Sequence, residues 1–444
     1  MELALMEQKR LHFIDAIRAW AILMMLQGHF IDGLLAPQFR DQDQDWFQIW
    51  TYFRGITAPV FFTASGLIFT YLLFKNTHTT YVNKRIKKGL KRGVQLIVLG
   101  YLLRLNLQGL LNGHIYPSFF YVDVLHCIGL AILILIFANK LIGHWSIKGF
   151  SIVVFALATL IFSFEPWFKG LDWSNWPVAL SHYFTRENGA LFTFIPWVGY
   201  SFYGAFMAVI LVKLSHKKMF YPIAILGLFI LGTWLKYDSS RFFIFLSDQF
   251  GWKVFSAVAY NNYLFIRLGD VFWVLGVFML GRQFLQYKTL LAIGQNTLSI
   301  YVIHAVILYG SFHGFGLYKF FKKSLNVPEA FAGGLLFVLC CVSLSFLYEY
   351  KKGFVKDYIS RIFKKIKIMS DVNSGPIPVA LEKDKNYSWC TCGHTENEPF
   401  CDGSHRKNNA TPSLKFSVSE EKTAYLCSCK KTSNPPYCDG SHKG

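Results

Sequence analysis

Phe13-Ile-Asp15-Ala-Ile-Arg18-Ala-Trp-Ala-Ile-Leu-Met-Met-Leu-Gln-Gly-His29-Phe-Ile-Asp32-Gly-Leu-Leu35 is apolar over a membrane-spanning length, yet it carries four ionisable side chains. An uninterrupted apolar run of roughly 20 residues crosses a bilayer as a helix. Further runs of this kind follow at 52–74, 94–111, 121–139, 147–164, 190–214, 221–235, 264–285, 290–309 and 330–348. The expected fold is therefore a polytopic α-helical membrane protein with about ten transmembrane helices. Composition agrees. Of the 444 residues, 53% are apolar and 16% charged, whereas a soluble globular domain carries about 25% charged residues. A single soluble core and a disordered chain are both excluded.

The net charge of +19 invites a nucleic-acid reading, but its distribution argues against one. From residue 371 onward nine Lys and Arg balance nine Asp and Glu, so the excess lies entirely before it. Lys84-Arg85-Ile86-Lys87-Lys88 and Lys91-Arg92 sit between the second and third runs. Basic loops mark the cytoplasmic side. The start of the chain, Lys213–Lys218 and Lys351 onward then fall on that side too, and only Lys319, Lys322 and Lys323 do not. Both termini are expected in the cytoplasm, and no cleavable signal peptide is evident.

Ionisable groups inside a span are costly and mark function by default. At 100° per residue, Arg18 and His29 lie within about 20° of one stripe and roughly 16 Å apart along the axis, with Asp15 and Asp32 within about 60° of it. One face carries an arginine near the cytoplasmic end and a histidine near the other. The plainer reading is an i,i+3 pair of Asp15 and Arg18 at the helix start with an interfacial His29. Arg267 and Asp270 read as a structural pair; His126 and His304 are weaker catalytic candidates, since a lone helical histidine is more often a packing residue.

These residues carry a resemblance. Arg10-Leu-His-Phe-Ile-Asp15-Ala-Ile-Arg18 with His29 resembles the opening of the transmembrane acyltransferases, the acyltransferase-3 and heparan-α-glucosaminide N-acetyltransferase-like proteins. Arg54-Gly-Ile-Thr-Ala-Pro59 through Ser65-Gly66, Asp123-Val-Leu-His126, Ile195-Pro196-Trp197 and Ile293-Gly294-Gln-Asn296 through His304 are also similar to family segments. The resemblance implies acyl transfer from a cytoplasmic acyl-CoA to a sugar-type acceptor. His29 would act as general base or transient acyl carrier, Arg18 and Arg54 would bind phosphate or a developing oxyanion, and Asp15 would orient them.

The end of the chain is of another kind. Cys390-Thr-Cys392, eight residues, then Cys401-Asp-Gly-Ser-His405 recurs 37 residues later as Cys427-Ser-Cys429, eight residues, Cys438-Asp-Gly-Ser-His442. Each unit offers three thiolates and one imidazole. Disulfides fit poorly, because three cysteines per unit is odd and the compartment is reducing. A Cys3His zinc site stays open on residues alone, although the C-x-C spacing is tighter than zinc sites usually show and suits two adjacent irons better.

This signature resembles the CDGSH iron–sulfur family in its tandem, mitochondrial inner NEET-like form. The resemblance implies two [2Fe–2S] clusters, one held by Cys390, Cys392, Cys401 and His405 and the other by Cys427, Cys429, Cys438 and His442, on a small β-rich domain whose halves pack as a pseudo-dimer. A histidine ligand raises the potential above that of an all-cysteine cluster and makes it acid-sensitive.

Between the two parts, Phe354, Tyr358, Ile362 and Ile366 recur at i+4 opposite a basic face, as in a helix lying on an anionic leaflet. The expected organisation is a transmembrane acyltransferase-like domain at 1–350, this helix and a linker at 351–380, and the tandem module at 381–444. The expected partners are membrane lipid, acyl-CoA, a sugar-type acceptor and a redox partner, without nucleic acid. A membrane-anchored electron- or cluster-transfer protein on an inactive scaffold, and a transporter with a redox sensor, are the competing functions.

Overall fold

The computed structural model describes residues 11–76, 79–143, 146–187, 189–370 and 375–441, without the side chains of 79 and 353–370. Arg10, His442 and the two faces expected for the junction helix from Phe354 to Lys367 lie outside the described residues. The chain divides into two compact units, 1–348 and 349–444.

The first unit is helical. Its principal helices are α1 (His12–Leu34), α2 (Asp45–Phe74), α3 (Thr79–Arg104), α4 (Val124–Ala138), α5 (Ile147–Ser163), α6 (Phe194–Leu214), α7 (Phe220–Tyr237), α8 (Tyr263–Leu280), α9 (Lys288–Gln295), α10 (Thr297–His304) and α11 (Val327–Ser370). Among the described residues, seven helices are long and apolar enough to cross a membrane, and α9 with α10 makes an eighth candidate bent by 66°.

Two of the ten expected spans fall short of that standard. The run expected at 94–111 is the second half of α3, whose first half is polar through Lys84, Arg85, Lys87 and Lys88. The run at 147–164 is α5, apolar but only 17 residues long. The run at 290–309 is interrupted at Asn296, whose backbone N–H closes the end of α9 by donating to the Ala292 and Ile293 carbonyls.

Lipid tails are as apolar as leucine, so helices associate in a membrane chiefly where small residues let backbones meet. Gly66 of α2 faces the Ser201 carbonyl of α6, and Gly204 of α6 faces the Thr63 carbonyl of α2, with no room at either for a Cβ. Ser201 Oγ donates to the Phe62 carbonyl at 3.1 Å, which fixes the same crossing. Gly294 of α9 abuts the Asp15 carbonyl of α1 in the same way. Phe62, Tyr200, Phe150 and Phe162 are wholly buried around the first crossing, whereas Ile223, Leu226 and Ile230 on α7 and Leu335, Leu336 and Leu339 on α11 are exposed apolar side chains, as a lipid-facing surface requires.

In the second unit four short strands form two antiparallel pairs, β1 (Ile377–Leu381) with β4 (Lys422–Leu426) and β2 (Tyr387–Trp389) with β3 (Leu414–Phe416). Each pair takes one strand from each sequence repeat. Ile377 stands opposite Leu426, and Leu414 opposite Trp389; these are the same pairing with the repeats exchanged. Leu381, Trp389, Ala424 and Leu426 fill the small core beneath.

Gly66→Leu should drive α2 and α6 apart. Overpacking of this kind costs about 3 kcal/mol, and detergent-purified protein should melt lower or aggregate. An unchanged melting temperature would contradict the crossing.

Candidate functional site

The last turn of α1 leaves carbonyls without helical partners, and two arginines attend to that end. Arg40 donates to the Asp32 carbonyl at 2.6 Å and, through Nε, to the Leu35 carbonyl at 3.1 Å. Arg54 of α2 ion-pairs with the Asp32 carboxylate, and its stem passes 3.6 Å from where a Cβ on Gly28 would stand. The cationic groups complement the negative end of the helix dipole. Together they fix the turn that carries His29.

His29 Nδ1 lies 3.0 Å from the Tyr309 hydroxyl. On its other side the His304 ring stacks at 5.5 Å between centroids and 20° between planes. His304 Nδ1 in turn hydrogen-bonds the Tyr301 carbonyl within α10. His29, His304 and Tyr309 are thus one polar cluster with the Asp32–Arg54 pair alongside. His304, one of the weaker histidine candidates on the sequence, stands beside His29. It is buried, but it is buried against His29. Tyr309 gave no signal of its own in the sequence, since it lies on a π turn, Ala305–Tyr309, that breaks the helical count after α10.

Asp15 and Arg18 do not join this cluster. They pair with each other at 3.5 Å, and Arg18 Nη2 donates to Thr297 Oγ1 at 2.9 Å. Both residues are near the start of α1, and Thr297 opens α10, so the break between α9 and α10 is where Arg18 is held.

Two other polar groups are built into the bundle. Asp270 accepts from Tyr52 at 2.7 Å, Lys236 at 2.9 Å and Arg267 at 3.1 Å, a larger set than the expected Arg267–Asp270 pair. Asp123 and His126 form a reciprocal capping box at the start of α4, with Arg104 at 3.6 Å. His126 Nδ1 is thereby taken up by the cap, while its buried Nε2 meets no hydrogen-bond partner among the described residues.

In the second unit the ligand candidates stand in pairs. Cys390 and Cys392 have their sulfurs 3.8 Å apart, and Cys401 Sγ lies 3.1 Å from His405 Nδ1. Cys427 and Cys429 are 3.4 Å apart. Among the described residues no three His, Cys, Asp or Glu side chains cluster as a single metal ion would require.

The loops between ligands repeat bond for bond. Thr395 Oγ1 donates to the Phe400 carbonyl and Thr432 Oγ1 to that of Tyr437. The Cys390 amide donates to Pro399 and the Cys427 amide to Pro436. Gly403 and Gly440 both have φ near +90°, at +87° and +92°, a conformation glycine adopts freely, and in the first repeat the turn brings Cys401 to His405. Asp402 closes its turn by accepting from the amides of Glu396 at 3.0 Å and Ser404 at 2.9 Å. Those donors, the Glu396 amide first, hold its carboxyl well below the usual carboxylate range. Asp439 is held low in the same manner by the Ser441 hydroxyl and the Ser433 and Ser441 amides.

Residues 10–237 match the family model for heparan-α-glucosaminide N-acetyltransferase, catalytic, and residues 365–406 match that for iron-binding zinc finger, CDGSH type. The chain is 41% identical over 85 residues to CDGSH iron-sulfur domain-containing protein 3, mitochondrial, of Mus musculus, covering 18% of this chain and 60% of that protein. It is 49% identical over 49 residues to the Homo sapiens protein of the same name, covering 11% and 38%. The chain therefore spans three-fifths or less of these curated relatives. The crystal structure of human mitochondrial inner NEET protein is 43% identical, with a TM-score of 0.16, covering 16% of this chain and 82% of that one.

Arg54→Ala removes the ion pair of Asp32 and leaves Arg40 as its remaining cationic neighbour. Arg54 is half-exposed, so the loss is discounted for solvent to about 1–2 kcal/mol. A lowered melting temperature should report it, and Asp32→Asn in the same background should recover part of it. Equal stability of wild type and Arg54→Ala would show that the pair does not hold the end of α1.

Proposed function

Because the chain belongs to the heparan-α-glucosaminide N-acetyltransferase catalytic family and ends in a CDGSH iron–sulfur module, we propose that its membrane unit transfers an acyl group from cytoplasmic acyl-CoA to a sugar-type acceptor. The single observation that carries this reading is the cluster of His29 with Tyr309 and His304 beside the Asp32–Arg54 pair. In the tautomer with Nδ1 protonated, His29 donates to the Tyr309 oxygen and keeps its Nε2 lone pair for the acceptor. The acceptor hydroxyl or amine gives its proton to Nε2 as its oxygen or nitrogen attacks the thioester carbonyl. The carbon–sulfur bond then breaks, and the CoA thiolate leaves and is reprotonated from the imidazolium. Arg54 stabilises the oxyanion. Arg18, oriented by Asp15 and Thr297, binds a phosphate of the cosubstrate near the opposite end of α1.

In this reading the chain crosses the membrane ten times, α3 and α5 included, with both termini and the iron–sulfur module in the cytoplasm. Residues 1–350 form the acyltransferase-like domain, 351–380 a surface helix and linker, and 381–444 a tandem CDGSH module. Cys390, Cys392, Cys401 and His405 would hold one [2Fe–2S] cluster, and Cys427, Cys429, Cys438 and His442 a second. The paired arrangement of the first set favours two irons over one zinc, since a single tetrahedral ion draws all four donors to one point. When bound, each cluster accepts and returns one electron, exchanged with a redox partner. The aspartates of the turns, held by their amide and hydroxyl donors, stay ionised well into acid.

His29→Ala should abolish acyl transfer while the protein remains in the membrane fraction; retained transfer would defeat the assigned role. If the wild type transferred no acyl group, the membrane-anchored electron-transfer reading would take its place. His405→Ala should halve the iron content and the visible absorbance. Stoichiometric zinc without colour in purified wild-type protein would remove the iron assignment.

A further inference from the structure

The two ligand loops are alike in backbone and opposite in charge. Between Cys392 and Cys401 the spacer is Gly-His-Thr-Glu396-Asn-Glu398-Pro-Phe, and between Cys429 and Cys438 it is Lys430-Lys431-Thr-Ser-Asn-Pro-Pro-Tyr. The first carries two carboxylates and no lysine or arginine, the second two ammonium groups and no carboxylate. The eight positions otherwise correspond one to one at the 37-residue offset, and the hydrogen bonds within them repeat.

The difference is directed at one site. Lys430 has φ +60°, where the equivalent Gly393 has +70°. That left-handed conformation suits glycine and strains a lysine, so the second repeat holds a cation where the backbone calls for none. Lys430 Nζ lies 3.4 Å from the carbonyl oxygen of Cys427. The same carbonyl accepts the indole N–H of Trp389 at 2.9 Å, and the ammonium stands 5.1 Å from the centre of that ring. The position equivalent to Trp389 in the second repeat is Leu426, which has no side-chain donor to return the bond to Cys390. The carboxylate nearest Lys430 is Glu398, at 3.8 Å, and Glu398 belongs to the loop of the first site. Cation and extra donor therefore both bear on Cys427 of the second site, Glu398 partly offsets that cation, and Glu396 stays in the loop of the first.

An electron added to a cluster makes it more negative. Nearby positive charge and hydrogen-bond donors favour the reduced form, and nearby carboxylates disfavour it. Water screens exposed charges, but Lys430 is mostly buried and Cys427 wholly so. We propose that the two iron–sulfur sites are redox-inequivalent: the site of Cys427, Cys429 and Cys438 takes the electron first, and the site of Cys390, Cys392, Cys401 and His405 is reduced only at lower potential. Trp389 and Lys430 act here as positioning residues for the charge around Cys427. An electron delivered to the module resides on the second site, and the first serves as its lower-potential neighbour. The inference rests on the two-cluster reading above.

The test is an anaerobic potentiometric titration of the full-length protein in detergent with dithionite, followed by visible absorbance and electron paramagnetic resonance, after iron and sulfide assay. Wild type should show two one-electron steps whose reduction equilibria differ at least tenfold, which is 59 mV for a one-electron couple. Lys430→Gly, which installs the residue of the first repeat, should move the upper step toward the lower and leave the lower in place. Glu396→Gln should raise the lower step, and Glu398→Gln, which also leaves Lys430 without its carboxylate, should raise both. Cys438→Ser, which removes the second site, should leave only the lower step. Two clusters titrating as one step, Lys430→Gly leaving both steps where they were, or Cys438→Ser sparing the upper step would each overturn the proposal. One cluster per chain in the iron assay would overturn the two-cluster reading itself.

Discussion

The end of α1 sets what the rest of the membrane unit must do. A helix end leaves carbonyl groups without helical partners, and each one left unsatisfied is costly where water is scarce. Arg40 answers the carbonyls and Arg54 answers the Asp32 carboxylate. Arg54 belongs to α2, so α2 must run close to α1. The α2–α6 crossing, with Gly66 and Gly204 each against a carbonyl of the other helix, keeps α2 in place. His29 inherits its position from this arrangement, one turn back from Asp32. Its contacts with Tyr309 and His304 then bind α1 to the segment that follows the break at Asn296.

That break serves the other end of the same helix. Continuous helix through 290–309 would leave Gly294 unable to press against the Asp15 backbone and, at the same time, Thr297 unable to meet Arg18. Bending by 66° lets the two short helices engage α1 separately, α9 through its glycine and α10 through its threonine. The same pair of helices therefore supports both of the polar positions on α1, which are otherwise separated by about three turns of apolar side chains.

The C-terminal unit solves a different problem. A unit of this size has little apolar area to bury, and either repeat alone would have unpaired strand edges. Exchanging strands gives every strand a partner from the other repeat and draws Trp389 and Leu426, equivalent residues, into one core. The exchange also brings Trp389, the neighbour of Cys390, within hydrogen-bond reach of the Cys427 carbonyl in the other repeat. Duplication with divergence then allows the two sites to differ while their loops keep one geometry.

Periodicity and composition alone determined that the chain crosses a membrane, because an apolar run of spanning length has few other stable homes. They also determined the Cys-x-Cys, Cys-Asp-Gly-Ser-His repeat, because three cysteines and a histidine at identical spacing twice over is a local pattern. The i,i+3 pairing of Asp15 and Arg18 was legible for the same reason, since helical spacing fixes neighbours within one element. What the tertiary structure decided is everything that joins distant segments. Tyr309 and His304 meet His29 across some 280 residues of chain. Lys236 and Tyr52 join Asp270, and β1 pairs with β4 rather than within its own repeat. The kink at Asn296 and the π turn before Gly310 shift the helical count, and no periodic reading of the sequence survives such a shift. Contacts between elements depend on which backbones can approach, and that is settled by the packing of small residues in three dimensions, not by the order of residues along the chain.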